Sequence, residues 1–264
     1  MARFCPLFSG SGGNSYYVGS AEAGVLIDAG RTAKQMDAML KNCGIDAAAV
    51  RAVFVTHEHT DHIKGLRVFA SRHHLPVYAS AGTLEELELL DCLSPKYKAD
   101  VIGEEGQECA GMFIRPFHTS HDSAESVGFR IETRDGRALA ISTDLGCLSE
   151  EVRQALTGAD LIVLESNHDV GMLQNGPYPY PLKRRILSKK GHLSNMDCAG
   201  GLCGFAGSGT TRFVLAHLSA ENNTPELAYQ TTLCSLTLSG LKQGTDFELY
   251  VAHRENTEGK TILF

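Results

Sequence analysis

This chain of 264 residues lacks a membrane-spanning run, a signal peptide, a Cys-x-x-Cys pair and an excess of positive charge, and each absence excludes a class of protein. No apolar run approaches the length of about 20 residues that spans a membrane, and residues 1–6 lack the apolar segment of a signal peptide. The eight cysteines are scattered and form no Cys-x-x-Cys pair, which favours reduced core thiols over disulfides or a cysteine metal site. A net charge of −7 argues against a general polyanion binder. We therefore expect a cytoplasmic enzyme with no membrane association.

Composition and periodicity predict a single α/β domain over residues 1–264. Apolar residues make up 43% of the chain and charged residues 21%, which is typical of a globular protein with an ample core. The predicted strands are residues 24–28, 53–55, 77–79, 112–116, 127–133, 137–142, 161–164, 213–216 and 247–251. The predicted helices are residues 32–43, 63–73, 83–90, 150–156, 194–205 and 225–238, with an irregular segment at 171–181. This alternation indicates sheets inside and helices outside.

The most informative stretch is Thr-His-Glu-His-Thr-Asp-His at residues 56–62, directly after an apolar run at 52–55. Core packing does not require three imidazoles and two carboxylates within seven residues. Neutral imidazole binds zinc, iron and manganese, and carboxylate binds harder cations. His57 and His59 point to the same side of an extended chain, whereas Asp61 and His62 suit a second position. One short loop can therefore supply ligands to two metals.

Four further candidate ligands follow predicted strands, where α/β folds collect functional groups. They are His121, Asp144, Glu165 and His217. A lone histidine at a strand end is more often a satisfied polar group than a ligand. Convergence with the 56–62 cluster favours a metal site.

These motifs, in this order, resemble the metal motifs of the metallo-β-lactamase superfamily. They are His-x-His-x-Asp-His at 57–62, Thr-Ser-His-Asp at 119–122, Ser-Thr-Asp-Leu at 142–145 and Ala-His-Leu-Ser at 216–219. Segments 9–15, 165–169, 177–185, 191–195 and 217–223 further resemble the WalJ/YycJ-like subfamily. The resemblance covers nearly the whole chain. It implies an αβ/βα sandwich of two mixed β-sheets, with helices on the outer faces and metals at one edge.

The resemblance also implies how the ligands are divided. His57, His59 and His121 would bind the first of two divalent metal ions (zinc, manganese or iron). Asp61, His62 and His217 would bind the second, and Asp144 would bridge the two ions. A water shared by two divalent cations is deprotonated near neutral pH and serves as a nucleophile.

The substrate is predicted from local features, because this superfamily includes β-lactamases, thioesterases, glyoxalases and phosphodiesterases. A phosphodiester needs cations for its non-bridging oxygens and a proton for its leaving alkoxide. His192 resembles the proton donor of ribonuclease Z relatives, and Glu165 resembles the acid that orients it. Together with Asp61, these two residues are the catalytic candidates. His168 is a competing proton donor, because it lies in Glu-Ser-Asn-His where relatives have Ala-Thr after the acid.

Three segments could contact the substrate, and each has a structural alternative. Five positive charges at residues 183–190 follow two tyrosines and form either a phosphate-binding surface or a solvated helix face. The glycine-rich loop at 9–15 is either a tight hairpin turn or a cradle of bare N–H groups for phosphate. His253, in Ala-His-Arg-Glu-Asn at residues 252–256, is either a phosphate contact or a structural residue. The resulting candidates are Lys183, Arg184, Arg185, Tyr180, His253 and Asn14.

The leading hypothesis is a dinuclear metal-dependent phosphodiesterase that acts on DNA as a 5′-to-3′ exonuclease, with phosphate or nucleotide in its site. The alternative is a phosphodiesterase of small molecules or cyclic nucleotides, which the negative net charge and compact length favour. A non-catalytic metal-binding regulatory protein is a third hypothesis. A structural metal site closes its coordination and needs no proton donor, which argues against that third hypothesis.

Overall fold

The computed structural model describes residues 2–264, which contain fourteen strands in two sheets of seven. The strands are β1 (Arg3–Phe8), β2 (Ser15–Gly19), β3 (Gly24–Ile27), β4 (Val50–Phe54), β5 (Val77–Ala79), β6 (Ala99–Val101), β7 (Gln107–Cys109), β8 (Met112–His118), β9 (Val127–Thr133), β10 (Ala138–Ser142), β11 (Leu161–Glu165), β12 (Arg212–Ala216), β13 (Glu248–Val251) and β14 (Ile262–Leu263). The first sheet has the order β14-β1-β2-β3-β4-β5-β6 and the second β13-β12-β11-β10-β9-β8-β7.

Both sheets have the same pattern of strand directions. Neighbours pair antiparallel from β14 to β3 in the first sheet and from β7 to β10 in the second. Neighbours pair parallel from β3 to β6 and from β10 to β13. Each sheet is therefore mixed, and each has a parallel half whose carboxyl ends can collect functional groups.

The described residues form nine α-helices. They are α1 (Ala33–Asn42), α2 (Thr60–Ile63), α3 (Leu66–His73), α4 (Ala81–Leu89), α5 (Glu150–Leu156), α6 (Val170–Asn175), α7 (Tyr180–Ile186), α8 (Asn195–Gly207) and α9 (Pro225–Leu238), with a 3₁₀ helix at Ala47–Ala49. Helices α1, α3 and α4 bury their apolar faces on the first sheet. Helices α5, α8 and α9 do the same on the second sheet.

A third apolar cluster joins the inner faces of the two sheets. Phe54 of β4 meets Phe129 of β9 edge to face, with ring centroids 5.8 Å apart, and both rings are fully buried. Each buried phenylalanine contributes about 1.5–3 kcal/mol through the apolar surface it removes from water. Face-to-face mixed sheets with helices outside confirm the predicted αβ/βα sandwich.

The predicted helix over residues 32–43 is confirmed as α1. Thr32 caps it, because its side chain accepts the Gln35 N–H while the Gln35 side chain bonds back to the cap. Gly44 follows in the predicted left-handed conformation, with φ +66°.

Two predicted segments differ from the structure. The helix expected over 63–73 begins earlier and is divided into α2 and α3, because the Gly65 N–H donates to the Ala29 carbonyl oxygen at 2.8 Å instead of continuing the helix. The segment expected to be irregular at 171–181 contains α6, which Asp169 caps by accepting the Met172 N–H at 2.8 Å. Both differences depend on contacts of single residues that a periodicity argument does not include.

The cysteines are only partly core residues. Within residues 2–264 no cysteine is bonded to another, and Cys5, Cys43 and Cys198 are buried. Cys234, however, is exposed, so the expectation of core thiols is wrong for that residue. Across the same residues, every helix falls short of the length and apolar character needed to cross a membrane.

Candidate metal centre

The candidate ligands lie at the carboxyl ends of parallel strands from both sheets. Strand β4 leads into the 56–62 loop, and β10 and β12 lead to Asp144 and His217. His121 comes from the loop between β8 and β9. Asp144 and His217 have left-handed backbones, with φ +57° and +54°. A non-glycine residue in this region carries strain of about 1–3 kcal/mol, and such residues cluster at functional sites.

His57, His59 and His121 form the first ligand group, with one ring nitrogen of each within 4.8 Å of the others. The Nδ1 of His57 lies 3.0 Å from the Thr56 hydroxyl, and the Nδ1 of His121 lies 3.1 Å from the Gly191 carbonyl oxygen. The Nε2 of His57 is buried and has no hydrogen-bond partner within residues 2–264. Burial lowers the pKa of both His57 and His121. These neutral rings, anchored at one nitrogen, are in the form that ligates metals.

Asp61, His62 and His217 form the second group, again within 4.8 Å of one another. The Asp61 carboxylate lies 3.6 Å from the Nε2 of His62 and 3.5 Å from that of His217. The Nδ1 of His217 is bonded to Glu165 at 2.7 Å. Its Nε2, which has no hydrogen bond in the described part of the chain, is thereby directed into the group.

Asp144 lies between the two groups. Its Oδ2 is 3.2 Å from the Nε2 of His62, and its Oδ1 is 3.8 Å from the Nε2 of His121. The side chain is buried, and no well-formed hydrogen bond from residues 2–264 reaches its Oδ2. A buried carboxylate oxygen without a partner is costly unless a cation lies nearby. Together with the free imidazole nitrogens, this donor set fits divalent metal ions.

Asp28, which the sequence analysis did not single out, holds His62 in place. Asp28 follows β3, is fully buried, and bonds the Nδ1 of His62 at 2.7 Å. Its carboxylate also accepts the Thr56 N–H at 2.8 Å and the Thr56 hydroxyl at 2.9 Å. Burial raises the pKa of Asp28 even with His62 beside it. Because Asp28 anchors one nitrogen of His62, the other faces the ligand groups. The only sequence signal was an acidic residue at the end of an apolar run.

Replacing Asp28 with asparagine is expected to weaken divalent-metal affinity about 10- to 100-fold, as loss of a carboxylate behind a histidine ligand does elsewhere. Asparagine keeps the size of Asp28 and tolerates its left-handed backbone, with φ +63°. Competition with a chelating dye for Zn²⁺ measures the change. Asp135→Asn, in the exposed turn between β9 and β10, is the matched control. An Asp28→Asn protein with wild-type affinity would exclude this role.

His192 and Glu165 form a hydrogen-bonded pair beside the ligand groups. The Nδ1 of His192 lies 2.8 Å from Glu165 Oε1, while Glu165 Oε2 accepts the N–H groups of Leu145 and Leu193. Burial acts to raise the pKa of Glu165, but the charge and hydrogen bond of His192 lower it to about 2. Burial acts to lower the pKa of His192, but Glu165 raises it above its ordinary value. The ionised carboxylate therefore keeps a proton on His192, whose Nε2 is left for other partners.

His168 lies outside this arrangement. Its ring is 1% exposed, and neither ring nitrogen has a hydrogen-bond partner within residues 2–264. A cavity of about 240 Å³ opens onto the ligand groups and includes His192 in its wall, but not His168. The structure thus brings only one of the two candidate donors to the cavity.

The wall of this cavity contains residues from six parts of the chain. They are Ser11, His59, Asp61, Asp144, Asn167, Tyr178, Leu182, Arg185, Ile186, His192, His217 and Ser219. Of the predicted substrate contacts, only Arg185 is among them. Its guanidinium donates to the carboxylate of Asp122, at 2.8 Å from Nη2 to Oδ1. Nothing in the sequence pairs these two residues, although Asp122 directly follows His121.

The other predicted substrate contacts are not part of the wall of the cavity. Tyr180 and Arg184 are exposed on α7, and the Lys183 Nζ donates to the carbonyl oxygens of residues 174 and 176. Asn14 is fully buried, with its amide nitrogen 3.3 Å from the Asp61 carboxylate. His253 lines a separate surface cavity of about 390 Å³.

Comparison with known proteins agrees with this architecture. Residues 24–218 match the beta-lactamase superfamily domain. Exodeoxyribonuclease YycJ of Bacillus anthracis is 39% identical over 249 residues, which cover 94% of each chain. Exodeoxyribonuclease WalJ of Streptococcus pneumoniae is 34% identical over 256 residues, which cover 94% of this chain and 93% of WalJ.

A solved structure shows the same fold. The crystal structure of YhfI from Bacillus subtilis, a metallo-β-lactamase fold protein, matches with a TM-score of 0.75 over 100% of both chains, at 16% identity. This structural similarity shows the fold alone. The family is shown by the sequence matches. The chain belongs to the metallo-β-lactamase superfamily of metal-dependent hydrolases, in the group that contains YycJ and WalJ.

Proposed function

We propose that this chain is a dinuclear metal-dependent phosphodiesterase that degrades DNA as a 5′-to-3′ exonuclease. The observation that carries the proposal is the meeting of metal ligands, His192 and Arg185 in the wall of one cavity. Phosphodiester hydrolysis uses all three: metal ions, a proton for the leaving oxygen, and a cation for the non-bridging oxygens. DNA is proposed because two relatives are named exodeoxyribonucleases.

In this proposal the two ligand groups would each hold a divalent ion, and Asp144, which lies between the groups, would serve both. Zinc, manganese and iron all suit imidazole-rich donors. When bound, such a pair of ions would lower the pKa of a shared water, so that the water is deprotonated near neutral pH. The ions would also polarise the phosphoryl group. Asp61 lines the cavity, and its side chain is 27% exposed, against 3% for Asp144. We therefore assign Asp61 to orienting the attacking water as well as to ligation.

His192 donates its Nε2 proton to the leaving alkoxide. Glu165 supports this step twice, because it holds the ring through Nδ1 and raises the pKa of His192, so that the proton is present near neutral pH. Arg185 neutralises a non-bridging oxygen of the scissile phosphate. Because Asp122 already pairs with Arg185, the guanidinium is oriented before the substrate arrives.

The exposed residues of the α7 segment, defined as residues 178–190, are proposed to hold the DNA beyond the cavity. Arg184, Lys189 and Lys190 are exposed there and bring positive charge to an otherwise acidic protein. Tyr180 is 72% exposed and offers an aromatic face for a base. Lys183 fixes the segment through its two carbonyl contacts. A cytoplasmic location is part of this proposal, since the proposed substrate is DNA.

The α7 segment makes a salt-dependence prediction. Each phosphate that a cation neutralises on single-stranded DNA contributes about −0.7 to the slope of log affinity against log salt. The double variant Arg184→Ala/Lys190→Ala is therefore expected to reduce the slope for kcat/KM by about 1 to 2. Arg134→Ala/Lys242→Ala removes the same charge from the opposite edge of the second sheet, where β10 and β13 begin. Equal slopes in the two double variants would count against the proposed surface.

End-labelled single-stranded and duplex DNA, incubated with Mn²⁺ or Zn²⁺, tests the proposal itself. The expected result is stepwise release of nucleotides from the 5′ end, abolished by a chelator. Absence of cleavage on every polynucleotide would refute it, and products starting at the 3′ end would refute the proposed polarity.

A small phosphodiester substrate is the second candidate. The cavity volume of about 240 Å³ and the net charge of −7 favour it, because they suit a compact ligand and disfavour a long polyanion. Turnover of bis-nitrophenyl phosphate without any cleavage of DNA would select this function.

A further inference from the structure

The glycine-rich loop at residues 9–14, between β1 and β2, borders the cavity through Ser11. Its base is fixed by two hydrogen bonds, from the Gly10 N–H to the Asn14 side chain at 2.9 Å and from the Asn14 N–H to the Asp61 carbonyl oxygen at 2.7 Å. The loop is thus a hairpin turn attached to a candidate metal ligand. Within it, only Ser11 and Gly12 at the tip are exposed.

The tip presents hydrogen-bond donors that the protein does not use. No hydrogen bond within residues 2–264 involves the N–H of Ser11, the N–H of Gly12 or the Ser11 hydroxyl. Successive free N–H groups in a turn, with a neighbouring hydroxyl, are donors of the kind that bind an anion such as phosphate. The sequence left a hairpin turn and a phosphate-binding loop as alternatives for residues 9–15. One loop can be both.

Arg31 adds a positive charge directly against this tip. A Cβ on Gly12 would lie 3.2 Å from Arg31 Nη2, and one on Gly13 would lie 2.7 Å from Arg31 Cδ. Glycine is needed at residue 13 because its φ is +150° and a Cβ there would lie 2.6 Å from the Gly30 carbonyl oxygen, whereas at residue 12 only the arginine side chain is close. The guanidinium is also held over the Phe8 ring, with 5.5 Å from its carbon to the ring centroid.

This guanidinium has unused binding capacity. Its Nε is buried without a hydrogen-bond partner in the described residues, and its contact with Glu255 is long, at 3.5 Å. The arginine is therefore positioned by packing rather than by a strong ion pair. Because Nε is buried, an incoming phosphate would bind the two terminal nitrogens of the guanidinium and replace the long contact of Nη2 with Glu255.

We propose that Ser11, Gly12 and Arg31 form a second phosphate subsite, which binds a phosphate next to the scissile phosphate in the same strand. This inference rests on the proposed phosphodiesterase function and narrows its substrate to a chain with consecutive phosphates. A small diester reaches the metal ligands but has no group to place on the loop. The subsite therefore selects polynucleotides over small phosphodiesters.

The test compares two substrates in the metal-loaded protein. For Arg31→Gln, the ratio of kcat/KM on a labelled oligonucleotide to kcat/KM on bis-nitrophenyl phosphate is expected to fall about 10-fold or more, the effect of losing a charge-assisted contact. Arg31→Lys keeps the charge and is expected to lose less. Arg134→Gln, another arginine paired with a surface glutamate, is the control that keeps the wild-type ratio. If the ratio for Arg31→Gln stays within about twofold of the wild-type ratio, the inference is overturned, because a twofold change is far smaller than the expected loss.

A binding measurement separates this inference from the proposed function. Fluorescence anisotropy with a nuclease-resistant phosphorothioate oligonucleotide reports affinity without turnover. About 10-fold weaker binding by Arg31→Gln supports the subsite, and equal binding overturns it. If the wild type binds this probe through Arg31 but cleaves no polynucleotide, the subsite stands and the nuclease proposal fails.

Discussion

Replacing Asp144 with alanine is expected to lower metal-dependent phosphodiester hydrolysis at least about 1000-fold, because Lewis-acid action by bound metal is worth several kcal/mol of transition-state stabilisation. Asp144 lies within 4 Å of candidate ligands from both groups, so its loss disturbs both ion positions. Steady-state rates with saturating Mn²⁺ or Zn²⁺ measure the effect.

Asp144→Asn is the matched variant, because asparagine keeps the size of the side chain and tolerates the left-handed backbone. Thermal unfolding separates metal loss from misfolding. Wild-type protein is expected to gain about 2.7 kcal/mol of unfolding free energy at a metal concentration 100 times Kd. Both variants should remain folded and gain much less. An Asp144 variant that keeps wild-type turnover would refute its place between the ions.

His192→Gln is expected to lower turnover of DNA about 100- to 10,000-fold, the usual range for loss of a general acid. Turnover of bis-nitrophenyl phosphate should fall far less, because nitrophenolate leaves without receiving a proton. Metal affinity should stay near the wild-type value, which distinguishes a proton donor from a ligand. Glu165→Gln should show the substrate-dependent pattern with a smaller loss and, unlike His192→Gln, should also weaken metal affinity, because Glu165 holds His217 as well as His192.

His168→Gln is the control for the competing donor. Since His168 lies outside the cavity wall, its replacement should not distinguish the two substrates. If His168→Gln lost DNA turnover selectively and His192→Gln did not, the roles assigned to these histidines would be exchanged. Equal losses by His192→Gln on both substrates would instead contradict proton donation.

The ligand groups were predictable from the sequence because their chemistry is concentrated in short motifs. The 56–62 loop supplies four of the seven predicted ligands within six residues, from His57 to His62. The remaining three each follow or connect strands of the second sheet. The structure brings all seven into overlapping groups, which the order of motifs along the chain had implied.

Other features were not predictable because they depend on contacts between distant parts of the chain. Asp28 acts on His62 only because β3 and β4 are parallel neighbours. Asp122 meets Arg185, 63 positions later, only after α7 packs beside the cavity. Asn14 was predicted to contact substrate, but it is fully buried, and its amide bonds to Gly10 of the loop and to Asp61. Composition and spacing carry no information about such pairs.

Anomalous diffraction from the metal-loaded protein, crystallised with a nuclease-resistant oligonucleotide, tests the central claim most directly. We expect two anomalous peaks about 3.5–4 Å apart with Asp144 between them, since two-metal hydrolases place their ions at that separation. We also expect the scissile phosphate between the ions and the Nε2 of His192 facing its leaving oxygen. A single peak, or an oligonucleotide bound with no phosphate near the ions, would contradict a two-metal phosphodiesterase.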